Sequence, residues 1–371
     1  MMSARFLTVV LERAFNMRDG FGREIDYMRI SVIDSCNLNC YYCNPCDNNE
    51  HCHALNILSV KEVLCIVRAA TRLGIKHFRL TGGEPLLHPQ LDEMVLQIKK
   101  IPGVSSVSLT TNAVLLAQHA KWLKEAGIDS INVSLDTIDA SEYERITKKP
   151  LLEEVKHGIN AAIECGIRVK INVVLTPQTD VVALTRYVAK KGTDIRFIEM
   201  MPVGEGHTNG VEPYKKVIGT LSKLYGEPCR INTEKTKEIN SGNDKRKIPD
   251  NGPAEYYIFP ELGIRVGLIQ AIHGKFCDTC NRIRVTADGR LMPCLGSSVT
   301  MDLVPDSWNF ADDVEKDFAI VRALRAAIKA KPRCHNFNDN AVTYTKTTET
   351  KTTEIEAAEV NAARNMSRIG G

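Results

Sequence analysis

The 371-residue sequence predicts an α/β fold: a partial (β/α)6 TIM-type barrel followed by a C-terminal α+β extension. Three observations carry that prediction. Between residues 27 and 200, short apolar runs rich in β-branched residues alternate with longer amphipathic ones, the pattern of β-α units around a parallel sheet. Polar and glycine-rich residues gather just after the strands, at Cys36, Gly82-Gly83, Thr110-Thr111-Asn112, Ser134–Asp136, Asn172 and Glu199, where a barrel places its active-site loops. Past Gly204 the alternation stops, which marks the extension.

Taken in order, a strand over Tyr27–Asp34 empties into Cys36, Cys40 and Cys43, spaced C-x3-C-x2-C. Ser59 and Glu62 form a capping box for a helix that runs to Leu73 and stops at Gly74. Strand Lys76–Leu80 leads into Thr81-Gly82-Gly83-Glu84-Pro85, and a helix follows from Gln90. The alternation continues with strand Val104–Thr111, helix Leu115–Ala126, strand Ser130–Leu135, helix Leu152–Cys165, strand Arg168–Leu175, helix Val181–Lys191 and strand Asp194–Met200. Beyond it come a helix at Tyr214–Tyr225, a polar linker at Asn240–Gly252, strands at Glu255–Phe259 and Ile264–Ala271, and a helix at Ala319–Lys331. An Asp288-Gly289 turn makes a hairpin that draws Cys277 and Cys280 towards Cys294. The Thr-, Lys- and Glu-rich stretch 342–358 reads as a tether for the final Gly370-Gly371. The expected division is an N-terminal arm (1–20), the barrel (21–226), a second cysteine domain (227–340), and the tether with its tail (341–371).

Composition excludes several classes. With 43% hydrophobic and 25% charged residues and a net charge of +3, the chain is neither a disordered tail nor a general nucleic-acid binder. No stretch approaches the roughly 20 apolar residues of a membrane span, and Phe6–Leu11 is too short for a signal-peptide core. Twelve cysteines in a chain without secretory features suit a reducing cytoplasm, where grouped thiols bind metal. Arg5, Arg13 and Arg18 leave an organelle-targeting reading open. Cys65, Cys165 and Cys229 read as small hydrophobes. Cys46, His51, Cys52 and His53 crowd one loop, but their spacing fits no familiar zinc pattern and they read as a solvated loop.

Three thiolates on one tight loop can hold three corners of a cubane iron–sulfur cluster and leave its fourth iron open to a ligand, whereas a structural zinc asks for four protein ligands. Cys36, Cys40 and Cys43 are read that way. Cys277, Cys280 and Cys294, with Arg282 and Arg284 between them, read as a second open cluster beside an anion-binding strand; a zinc completed by Cys334 or His335 is the alternative.

The first triad followed by Gly-Gly-Glu-Pro resembles the radical S-adenosylmethionine superfamily. Adding Phe21-Gly-Arg-x4-Met-Arg29, Arg79-Leu-Thr-Gly-Gly-Glu-Pro, Thr110-Thr-Asn, Asn132-Val-Ser134-Leu-Asp, Lys170-Ile-Asn, Phe197-Ile-Glu-Met-Met201, Phe-Cys-x2-Cys-Asn-Arg-x-Arg and the terminal Gly-Gly, most of the chain resembles the GTP 3′,8-cyclase family of molybdenum cofactor biosynthesis. That resemblance implies a lyase with two 4Fe-4S clusters and S-adenosylmethionine, which converts GTP to (8S)-3′,8-cyclo-7,8-dihydroguanosine 5′-triphosphate. An adenosyl radical would take hydrogen from ribose C3′, and the carbon radical would attack guanine C8. By matching positions, Tyr42, Gly83, Ser134 and Met201 would contact S-adenosylmethionine. Arg29, Arg79, Thr110, Lys170 and Arg282-Ile283-Arg284 would bind GTP, while Arg282, Arg284, Gly370 and Gly371 would take part in catalysis. The implied partners are an external one-electron reductant and a downstream cyclic pyranopterin monophosphate synthase, with a homodimer left open. Ala113 in place of a usual glycine, Asn44 in place of an apolar residue, and a divergent 297–312 depart from the family pattern. The competing classes are a radical S-adenosylmethionine enzyme acting on a peptide and a zinc-binding module without catalysis.

Overall fold

The computed structural model describes residues 17–43, 56–203, 206, 210–231, 252–297, 299–303, 313–335 and 337. The N-terminal arm up to residue 16, the Cys46–His53 loop with Asn44, most of the 240–252 linker, much of 297–312, and the tether with Gly370-Gly371 lie outside the described residues.

Six parallel strands follow one another in space as they do in sequence: β1 (Tyr27–Ser31), β2 (His77–Thr81), β3 (Ser106–Thr111), β4 (Ser130–Ser134), β5 (Val169–Val174) and β6 (Asp194–Ile198). Consecutive order is the stave-by-stave winding of a barrel, in contrast to the reversal at the middle of a doubly wound sheet. The connecting helices are α1 (Val60–Arg72), α2 (Leu91–Lys99), α3 (Leu116–Glu125), α4 (Ala140–Thr147), α5 (Leu152–Glu164) and α6 (Val181–Lys190). The Ser59/Glu62 capping box is formed as the sequence predicts. The expected helix at 214–225 starts with a π turn, Tyr214–Ile218, before α7 (Gly219–Tyr225).

Alternation along each strand divides the two faces. Met28, Ile30, Phe78, Leu80, Val107, Leu109, Ile131, Val133, Ile195 and Phe197 are buried in one core cluster with the helices. Their neighbours Arg29, Arg79, Ser108, Asn132 and Arg196 point the other way and line an internal cavity. A sheet that buries one face under helices and keeps the other polar has reserved its concave side for a ligand.

The extension continues the same sheet at both edges. Past β6 come β9 (Arg265–Ile269), parallel to it, then β8 (Glu255–Ile258) and β7 (Cys229–Arg230). On the other side β10 (Arg282–Val285) runs parallel to β1, and β11 (Arg290–Met292) and β12 (Met301–Asp302) follow antiparallel. Gly289 takes a positive φ of 75° in the β10–β11 turn, as an Asp-Gly hairpin requires. Helix α8 (Asp313–Lys329) packs against α1, β11 and β12, with Arg72 and Asp317 paired at 2.9 Å.

Candidate active site

The first triad sits where β1 runs out. Asn39 N–H donates to Thr147 O at 3.0 Å and Tyr41 N–H to Ile146 O at 3.1 Å, so the cysteine loop hangs on the C-terminal carbonyls of α4. Helix C-terminal carbonyls have no partners within their own helix. Cys36 takes the Asn112 amide at 3.7 Å and the Leu38 backbone N–H. Burial pushes the Cys36 thiol up to about 12 and Cys43 up to about 11. It also raises Cys40 well above its ordinary value, with Cys43 and Asp136 adding to the effect. Three thiols this buried ionise only when something positive binds them, as iron does.

The Gly82-Gly83-Glu84 segment is fitted against the same loop. Gly83 N–H donates to Ile33 O and Glu84 N–H to Ser35 O, both at 2.8 Å, which extends the β1–β2 pairing beyond the strands. A Cβ on Gly83 would lie 2.2 Å from Ser35 O, and one on Gly82 would lie 2.3 Å from Ile33 O. Glycine is therefore required here first by backbone approaching backbone, a reason additional to the ligand cradle expected from sequence. The Glu84 carboxylate accepts from Thr111 Oγ1 and Asn112 N at 2.7 Å and from Leu86 N at 3.0 Å, tying β2's end to β3's. Burial lifts it to about 7 against those donors.

From this loop a cavity of about 780 Å³ runs through the concave side of the sheet. Seven cationic side chains line it, Arg29, Arg79, Arg168, Arg196, Arg282, Arg284 and Lys331, against three acidic ones, Asp129, Asp136 and Glu199. Register explains the grouping: Arg284 pairs with Arg29, and Arg29 with Arg79, in one row across three parallel strands. Arg79 Nε donates to Tyr27 Oη at 2.5 Å and Nη1 to Leu109 O at 3.1 Å. Burial, and then Arg284 beside it, drives the Arg29 guanidinium well below its usual range; burial and Arg282 bring Arg284 down to about 10. A buried row of mutually repelling cations calls for a polyanion.

The second triad occupies the other end of that cavity. Cys277 and Cys280 precede β10, and Cys294 follows β11, so all three lie at the N-terminal end of a strand parallel to β1. The first triad follows β1's C-terminal end. The length of β1 therefore separates them by roughly 16 Å along the strands. Burial works against the Cys280 thiolate, yet Arg282 and Lys331 bring its thiol down to about 7. Among the described residues no three Cys, His, Asp or Glu side chains converge as one metal ion requires. A cubane, in contrast, takes its thiolates on separate corners. Both donor sets are three thiols, the number an open cubane cluster takes.

Comparison with known proteins now adds a name to this geometry. Residues 30–183 match the model of the Radical SAM superfamily, and residues 193–337 match that of Molybdenum Cofactor Synthesis C. A GTP 3′,8-cyclase from Clostridium perfringens (strain SM101 / Type A) is 36% identical over 324 residues, which is 86% of this chain and 95% of that protein. The GTP 3′,8-cyclase of Petrotoga mobilis (strain DSM 10674 / SJ95) is 35% identical over 331 residues, 87% of this chain and 96% of its own length. The chain belongs to the GTP 3′,8-cyclase family. Membership implies a 4Fe-4S cluster and S-adenosylmethionine, with GTP as the substrate. Streptococcus suis SuiB, solved bound to its precursor peptide SuiA, shares the fold at a TM-score of 0.54 with 14% identity, covering 87% of this chain and 69% of that one. No helix among the described residues is long and apolar enough to cross a membrane.

Most site residues expected from sequence line the one cavity: Arg29, Cys36, Cys40, Tyr42, Cys43, Arg79, Gly83, Thr110, Ser134, Met201, Cys277, Cys280, Arg282, Arg284 and Cys294. Lys170 is buried on β5 between Arg168 and Asn172, both cavity-lining, but is not itself in the lining. Ile283 faces away, fully buried in the hydrophobic core, so contact with a ligand is open only to its backbone. Ala113 adopts a positive φ of 65°, the conformation for which the family's usual glycine is suited.

The structure brings further polar residues to the cavity, beyond those expected from sequence. Arg196 donates from Nε to Asn172 Oδ1 at 2.9 Å, and its Nη2 is buried with no hydrogen-bond partner. Gly267 on β9 makes room for it, since a Cβ there would lie 2.8 Å from Arg196 Cγ. Asp136 accepts from Tyr42 Oη at 2.5 Å and from Val174 N at 2.7 Å, and burial raises it to about 6. Glu199 accepts from Ile272 N at 2.7 Å and pairs with His273. For Arg196 the sequence signal was present, an arginine set between the apolar Ile195 and Phe197 of β6.

Proposed function

We propose that this chain performs the GTP 3′,8-cyclase reaction in its central cavity, with one 4Fe-4S cluster on Cys36, Cys40 and Cys43, a second on Cys277, Cys280 and Cys294, and GTP between them. One observation carries the reading: two three-cysteine groups open onto opposite ends of a single cavity lined by seven cationic side chains. When bound, the first cluster and S-adenosylmethionine supply a carbon-centred radical that takes hydrogen from the ribose C3′ of GTP.

The chain's own residues bind, orient and exclude water. The Gly83 backbone, Ser134, Met201 and the Tyr42 ring, fixed by its hydroxyl on Asp136, would hold S-adenosylmethionine at the first triad. Arg29, Arg79, Arg282, Arg284 and Arg196 present guanidinium forks to the triphosphate, a planar two-donor geometry that suits phosphate oxygens. Thr110, Lys170 and the Ile283 backbone complete the substrate set. Arg79, pinned by Tyr27 and Leu109, is preorganised for that contact and loses little freedom on binding. Held at both ends, GTP would keep its ribose near the first triad and its base near the second, and C3′ and C8 would stay within reach of each other. Gly370-Gly371 would reach this cavity from the tail. An external one-electron reductant would supply the electrons, and a cyclic pyranopterin monophosphate synthase would take the product.

The test is anaerobic incubation with GTP, dithionite and S-adenosylmethionine, measuring 5′-deoxyadenosine and the cyclised nucleotide together. Equal, GTP-dependent formation of both is expected. Cleavage of S-adenosylmethionine with no cyclised product from wild-type protein would sink the proposal.

A further inference from the structure

Near the end of the described chain, the short segment 331–335 makes contacts that converge on the second triad. Lys331, buried just beyond α8, donates from Nζ to Arg282 O and Pro293 O, both at 2.8 Å. Those carbonyls belong to the residues that lead out of Cys280 and into Cys294. The ammonium thus stands beside Cys280, and the His335 backbone beside Cys277. On the third side, Gly296 leaves room for the His335 and Phe337 rings, whose centroids lie 4.3 Å apart at a tilt of 33°; a Cβ there would lie 2.7 Å from His335 Cβ.

Arg23 holds this segment from outside. Its side chain is buried, its Nε pairs with Asp19 at 2.6 Å, and its Nη1 and Nη2 donate to three carbonyls: Pro332 at 2.6 Å, Cys277 at 2.7 Å and Arg333 at 2.8 Å. A guanidinium that spends its donors on backbone oxygens more than 250 residues away serves position; it is committed before any ligand arrives.

We propose that Arg23 and Lys331 are positioning residues that make the 331–335 segment the outer wall of the second triad: Arg23 fastens the wall to Cys277, and Lys331 supplies a buried cation and hydrogen bonds at Cys280 and Cys294. The inference rests on the second-cluster reading. A three-thiolate cubane carries net negative charge, and a buried ammonium beside it offsets the cost of holding that charge away from water. Donors that hold the ligands of a metal site, without touching the metal, orient those ligands and tune the metal.

The experiment uses full-length protein reconstituted anaerobically, with iron, acid-labile sulfide, and electron paramagnetic resonance of the reduced protein with and without GTP. Wild type is expected to hold about eight irons, four per triad. Lys331→Met is expected to fall to about half of that and to lose the GTP-sensitive signal, with S-adenosylmethionine cleavage kept. Lys331→Arg, which restores a cation, is expected to regain both. Arg23→Gln is expected to release second-triad iron to a chelator several-fold faster, with first-triad release unchanged. Wild-type iron content, spectrum and release rates in Lys331→Met and Arg23→Gln overturn the proposal, as does equal loss of iron from both triads. A wild-type chain holding iron at the first triad alone overturns the second-cluster reading, and the proposal with it.

Discussion

Replacing Gly83 by alanine tests the packing that joins the first triad to the sheet. The added Cβ would sit 2.2 Å from Ser35 O, 2.4 Å from Ser35 C and 2.6 Å from Asp34 O. A relaxed carbon–oxygen contact lies near about 3.3 Å, so backbone must move by about 1 Å. Overpacking of this kind costs about 1–3 kcal/mol. The two 2.8 Å bonds through Gly83 N and Glu84 N stand to lose about 1 kcal/mol each. Together these amount to about 3–5 kcal/mol, a large share of a domain's total stability. The chain relieves the overlap most readily by displacing residues 34–35, and Cys36 with them. Expected for Gly83→Ala are a lowered urea midpoint of the apoprotein, loss of first-triad iron, and loss of S-adenosylmethionine binding by equilibrium dialysis, with second-triad iron retained. Gly22→Ala is the control: Gly22 has a φ of 81° but nothing within 4 Å of its Cβ position, so it costs about 1 kcal/mol of backbone strain and no iron. A Gly83→Ala protein with wild-type iron and undiminished affinity for S-adenosylmethionine would refute the reasoning.

Arg284→Ala is expected to keep S-adenosylmethionine cleavage and abolish cyclisation, with GTP binding weakened about 10- to 100-fold by loss of charged hydrogen bonds; full product formation by this variant contradicts the assignment. Arg196→Met should raise the GTP dissociation constant by a similar factor while leaving S-adenosylmethionine affinity unchanged, and an unchanged value for GTP removes Arg196 from the substrate set. Glu84 gives a pH dependence: burial holds its carboxyl up at about 7, so the folded apoprotein keeps a proton that the unfolded chain sheds near its ordinary 4.5. That contribution is fully present below about 4.5 and is lost as pH rises through 7, a decline of about 3 kcal/mol. Urea midpoints should fall over that range, and Glu84→Gln should flatten the upper part, since Asp136, raised to about 6, acts over the lower part. A midpoint equally steep in Glu84→Gln removes the carboxyl as its source.

The periodic part of the chain was legible in its sequence because local signals and global packing agree there. Strands at His77–Thr81 and Ser130–Ser134 and the Ser59-capped helix fall within a residue or two of expectation. Helix α4 was not anticipated. It is short and polar, and its one clear signal is Asp139, whose side chain accepts from Glu142 N at 2.8 Å. Yet its carbonyls carry the cysteine loop. The cysteine triads were readable from residue type and spacing, whereas the placing of Arg29, Arg79, Arg282 and Arg284 around GTP came from the family resemblance and Arg196 was not singled out. That the second triad lies at the far end of β1 was not, because it depends on β10 choosing β1 as its neighbour. No local pattern records such a choice across 255 residues. The work of Arg23 and Lys331 was hidden for the same reason, since their partners are backbone carbonyls that any sequence supplies.

The pairing of β10 with β1 also bears on how the chain is made. As synthesis proceeds, everything around the first triad emerges by β6, while the strand that covers β1's outer edge arrives near residue 282. Until then Tyr27–Ser31 presents a row of open backbone donors and acceptors, a surface prone to pairing with other chains. Closing that edge is a long-range contact and so a slow one. The step that protects the nascent protein from aggregation is thus the same step that assembles the second triad, and a chain cut short between β9 and β10 would keep the first triad but leave its β1 edge open.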